Sequence, residues 1–124
     1  MDSTIQIQDR VFKYSDKLFN KYFVRTDIHY VILILFLATD EYSKNDRQLP
    51  IQSKVELIQL LLRPYITHLK SKRKIKSKDV TMLTEQLEYH QTDIPVIIDN
   101  YNTARKSNLL IPRHSKRKYK CNIL

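Results

Sequence analysis

With 124 residues, 42% apolar and 28% charged, the chain suits one globular domain with a single core and excludes whole-chain disorder. It contains no glycine, which excludes the P-loop and the dinucleotide fingerprint, since both need backbone that only glycine permits. The net charge of +9 is uneven: residues 1–69 carry nine Lys and Arg against eight Asp and Glu, residues 70–124 thirteen against five.

Such a one-sided field concentrates polyanions, so nucleic acid is the first partner to consider. A single cysteine, Cys121, rules out an intramolecular disulfide framework and points to a reducing, cytoplasmic setting. Residues 1–14 hold no continuous apolar core, so no secretory leader is expected.

Along residues 4–23, Val11, Phe12, Leu18, Phe19, Tyr22 and Phe23 recur at helical spacing and predict a first amphipathic helix. Thr26 or Asp27 can cap a second helix whose centre, VILILFLA at 31–38, is apolar all round. Eight residues cannot span a bilayer, so this helix belongs across the middle of the core and no membrane partner is expected. A polar loop at 43–50 precedes a third amphipathic stretch carrying Val55, Ile58, Leu61, Leu62, Tyr65, Ile66 and Leu69. Pro64 removes a backbone donor, which predicts a kink or a split there. A split would make 53–62 and 64–74 the two helices of a hidden helix-turn-helix.

Residues 70–78 hold six cations, Lys70, Lys72, Arg73, Lys74, Lys76 and Lys78, with Ile75 as the only apolar anchor. Next come a helix N-capped by Asp79 with Val80, Leu83 and Leu87 on one face, a break at His90 and Gln91, and a second helix capped by Thr92. Pro95 falls in that helix's first turn, where its missing N–H has no partner to lose. At 100° per residue, Ile94, Ile97, Ile98, Tyr101 and Ala104 form its core side. Val96, Asp99, Asn102, Thr103 and Lys106 form the outer side. A basic hairpin is expected last: Leu109 and Ile111 face inward against Tyr119, Cys121 and Ile123, with His114, Ser115, Lys116, Arg117 and Lys118 between.

The pattern from 83 to 124 resembles the winged-helix core of the MarR and SarA class of bacterial regulators, where a recognition helix ends in a Gly-Leu-Ile turn. Here Asn108 stands in the glycine position before Leu109, Leu110 and Ile111, and asparagine tolerates the left-handed cap. The resemblance covers about a third of the chain and implies a short strand at 70–78 pairing with the wing. The wing lacks that class's acidic pattern, and no helix is expected after it, which leaves the N-terminal helices to form any homodimer. A plasmid or phage winged-helix protein fits equally.

The expected fold is therefore α+β, mostly helical, in a single domain 1–124. A helical core and dimerisation region at 4–69 would pack on a winged helix-turn-helix at 70–124. The expected function is sequence-specific binding of double-stranded DNA as a transcriptional regulator. Asn102, Thr103 and Lys106 would read the groove, with Thr92 and Asn100 near the helix start. Lys74, Lys76, Lys78, Arg113, Lys116, Arg117 and Lys118 would grip phosphates. The alternative is a module that docks on protein or structured RNA, which Asp93 and Asp99 favour because they would repel phosphates. No enzyme, metal or cofactor is expected: His29, His68, His90 and His114 lie far apart in sequence and HExxH is absent.

Overall fold

The structure is a computed structural model that describes residues 4–22 and 26–107. It consists of five helices: α1 (Thr4–Tyr22), α2 (Ile28–Asn45), α3 (Ile51–Ser71), α4 (Ser77–Tyr89) and α5 (Ile94–Lys106). There is no strand among the described residues, so the α+β expectation is replaced by an all-α fold. The expected hairpin at 109–123 lies outside the described residues.

Helix α2 is the axis of the fold and packs against each of the other four. Its apolar circumference explains why: Ile28, Val31, Ile32, Ile34, Leu35, Phe36 and Ala38 are all at most 1% exposed, and only a narrow stripe through His29, Tyr30 and Leu33 is left near solvent. Asp27 caps it with extended backbone, and its carboxylate accepts the His29 N–H at 2.8 Å. Another orphan donor at this end, the Ile28 N–H, reaches Gln86 Oε1 of α4 at 2.9 Å, so a side chain distant in sequence completes the cap.

Helix α1 lies along α2, fastened where Arg10 meets Asp46 at 2.7 Å just past the end of α2. On its other flank, Phe12 packs on Tyr65 and His68 of α3, with ring centres 5.1 and 4.9 Å away. The His68 Nε2 lies 2.9 Å from Asp16 Oδ1. Helix α3 neither splits nor ends at Pro64, which removes the hidden helix-turn-helix at 53–74. Pro64 is exposed, and Leu60, whose carbonyl loses its donor, is 58% exposed, so the proline lies on the solvent side of the helix.

The connection between α3 and α4 replaces the strand expected at 70–78. Leu69 is fully buried and holds α3 helical to Ser71. The chain then reverses in a Schellman turn: the Lys74 N–H donates to the Leu69 carbonyl at 2.9 Å and the Arg73 N–H to the Lys70 carbonyl at 3.0 Å. Arg73 takes φ 60, the left-handed position that glycine usually fills, in a chain that has none. Ile75, 6% exposed, plugs the turn into the core. Five residues used this way leave no length for a strand.

Helix α4 starts earlier than expected, with Lys76 at its cap. Asp79 sits three positions further on, where its carboxylate accepts the Lys76 N–H at 2.9 Å and its own N–H donates to the Lys76 carbonyl at 2.9 Å. The turn to α5 spans 90–93, with Asp93 rather than Thr92 at the cap and Pro95 in the first turn. Helices α4 and α5 pack chiefly on α2 and α3. Ile94 and Ile98 bury α5, and the Tyr101 hydroxyl donates to the His29 carbonyl at 3.1 Å.

Candidate nucleic-acid interface

Of the residues expected to grip phosphates, Lys76 and Lys78 are exposed at the start of α4. Lys74 is half-buried and turns inward: its Nζ donates to Asn20 Oδ1 of α1 at 2.7 Å and lies 5.8 Å from the Phe19 ring centre. It therefore ties the turn to α1. Lys70, Lys72 and Arg73, around the same turn, are exposed. None of Lys70, Lys72, Arg73, Lys76 or Lys78 forms an ion pair with another described residue, and the nearest acid by sequence, Asp79, is occupied by backbone.

Schellman geometry, the buried Ile75 and the Lys74–Asn20 bond hold the turn's backbone in place, so these cations project from a rigid base. Their mutual repulsion opposes folding, and none of them is held in an ion pair by a described carboxylate. A polyanion would relieve the repulsion, and backbone preorganisation lowers the ordering cost of binding one.

The residues expected to read bases lie on α5. Thr92, Asn100, Thr103 and Lys106 are exposed, whereas Asn102 is half-buried at the margin of the packed side. Their face also presents Val96, 61% exposed, and Asp99. Arg105, beside them, joins an ion cluster with Asp40, whose other oxygen takes Lys54 Nζ at 2.7 Å. Asp40 is 8% exposed, and through it α2 binds α3 and α5 together.

That cluster places the end of α5 beside Lys54, near the start of α3. The basic turn follows the end of α3, about 24 Å away at 1.5 Å per residue over 16 residues. Arg113, Lys116, Arg117 and Lys118 lie outside the described residues.

Sequence reasoning missed the meeting of His29 and His90. Their ring centres are 4.8 Å apart at the start of α2, with each Nδ1 facing an aspartate, Asp27 at 3.0 Å and Asp93 at 3.5 Å. Only the fold joins residues so distant in the chain. Among the described residues, no group of three or more His, Cys, Asp and Glu side chains is arranged to hold a metal ion. No described helix is long and apolar enough to cross a membrane.

Burial raises the Tyr101 hydroxyl to about 12, with Asp27 and Tyr30 adding to the effect. Burial also raises Tyr65, further than Tyr101, and Ser15 opposes the shift.

Comparison with family models, curated proteins and solved structures finds no match for this chain.

Proposed function

We propose that the protein binds double-stranded DNA without catalysis, as a regulator of the DNA it occupies. The observation that carries this reading is the α3–α4 turn: five exposed, unpaired cations on a backbone held by a Schellman motif and a buried isoleucine. Cations so placed release counterions when they meet phosphates, which makes affinity steeply dependent on salt. Base reading is assigned to the exposed Asn100, Thr103 and Lys106 of α5, with Asn102 and Thr92 at the edges of that face. The working compartment is the cytoplasm, where the lone thiol of Cys121 stays reduced.

Filter binding to duplex DNA over a range of salt concentrations tests the proposal. The parent should show a linear fall of log affinity with log salt. Lys76→Gln/Lys78→Gln should flatten that line by about 1.8, at about 0.9 per phosphate contact.

A docking function on protein or structured RNA is favoured by one observation, the Val96 and Asp99 surface of α5. Equal or tighter binding of an RNA hairpin by the parent would shift the assignment to that reading.

A further inference from the structure

Counted along the chain, residues 1–69 are almost neutral, yet the fold redistributes their charge. Lys13 and Lys17 are exposed on successive turns of α1, and neither forms an ion pair with another described residue. Lys13 lines a groove of about 630 Å³ between α1 and α3 together with Lys72, the residue that ends α3. One turn past Lys17, Asn20 receives the Lys74 ammonium from the α3–α4 turn. Lys17 is thus bracketed on its own helix by two residues that meet the basic turn.

Three acids lie nearby and offset part of this charge: Asp9 and Asp16 line the same groove, Asp16 facing His68 at 2.9 Å, and Asp79 accepts the Lys76 N–H. Six exposed cations stand against these three, so an excess of positive charge remains. Lys13, Lys17, Lys70, Lys72, Arg73 and Lys76 therefore form one cationic surface drawn from two regions that are far apart in sequence. Helix α1 contributes its side without any basic run of its own.

We infer that Lys13 and Lys17 belong to the same phosphate-binding surface as the α3–α4 turn, so that a nucleic-acid backbone runs from the turn along the outer edge of α1. This rests on the nucleic-acid reading above and extends it to a helix that the sequence assigned to the core and to dimerisation. The two lysines stand about 6 Å apart along the helix axis, four residues at 1.5 Å each. Successive phosphates of one strand advance about 3.4 Å along the duplex axis, so two cations at this spacing reach separate phosphates.

The test uses the full chain and three double variants: Lys13→Gln/Lys17→Gln, the turn variant Lys76→Gln/Lys78→Gln, and a control, Lys44→Gln/Arg47→Gln. The control removes the same charge at and just past the end of α2, outside the groove and the basic turn. Glutamine keeps helix propensity close to that of lysine, and circular dichroism with thermal melting confirms that each variant folds. Duplex binding is followed against salt by filter retention.

The α1 variant should lower the salt slope by about 1.8 and weaken binding tenfold or more at 0.1 M salt, with a clearly smaller effect in the control. An α1 variant no weaker than the control, beside a weakened turn variant, overturns this inference and leaves DNA binding by the turn standing. A parent that fails to bind duplex DNA overturns both. Vesicles of phosphatidylserine and phosphatidylcholine provide the last arm: tighter binding to them than to DNA, lost in the same lysine variants, would reassign the surface to a membrane and overturn the inference.

Discussion

Replacing Arg73 with glycine should stabilise the protein while weakening its grip on nucleic acid. Arg73 sits at φ 60, in the left-handed region where a side chain crowds the following carbonyl. That conformation costs about 1–2 kcal/mol for a residue with a Cβ. Glycine removes the crowding but has more unfolded-state freedom to lose, about 0.5–1 kcal/mol, so the net expectation is about 0.5–1 kcal/mol of added stability. For a chain of this length that corresponds to a rise of about 2–5 °C in Tm.

Arg73→Ala is the informative partner. It removes the same charge and keeps the Cβ, so its stability should stay within about 0.5 kcal/mol of the parent. Urea unfolding followed by circular dichroism measures both, with an unchanged m value as the check that only native stability has moved. In duplex binding the two variants should behave alike, each with a salt slope lower by about 0.9 if Arg73 touches a phosphate. A glycine variant no more stable than the alanine variant would refute the reasoning, because the left-handed strain would then be absent.

Asp40→Ala should cost about 3 kcal/mol, at the lower end of the range for broken buried pairs. It leaves Lys54, with a 15% exposed side chain, without its partner, whereas the Arg105 side chain at 36% can reach water. A loss below 1 kcal/mol in urea unfolding would mean that the cluster does not hold α5 in place. Stability should also fall as the pH rises above about 10. Tyr101 and Tyr65 both ionise less readily when folded, so the unfolded chain loses those protons first. Their contribution is complete below the unfolded value near 10 and is lost through about 12 for Tyr101. Tyr101→Phe should therefore make the alkaline melting curve shallower, and an unchanged curve would count against the buried hydroxyl.

Much of the helical framework was legible because its causes are local. The apolar circumference of 31–38 could suit only a central helix, and Asp27 caps it by ordinary side-chain geometry. The periodicity of 55–69 was equally plain, and of the kink or split that Pro64 suggested the split did not occur. A proline is borne more easily on the solvent side of a helix than in its packed face, and the exposure of Pro64 and Leu60 is a tertiary fact. Gln86 capping α2 and His90 meeting His29 depend on elements far apart in sequence, so no window along the chain could contain them.

Residues 70–78 show why a charge count along the chain does not locate the proposed binding surface. Six cations around one isoleucine resemble a solvated strand when only alternation is considered. The deciding fact is a backbone reversal at Arg73, for which a glycine would have been the sequence signal. The reversal carries Lys74 across to Asn20, while the packing of α3 on α1 puts Lys72 and Lys13 on one groove, so the neutral N-terminal region adds cations to that side without an excess of them. An arginine in a position where glycine costs less also has a physical reading: the site gives up some stability and retains a charge on an exposed turn. That trade is sensible only if the charge has a partner, and the paired Arg73→Gly and Arg73→Ala measurements separate the two halves of it.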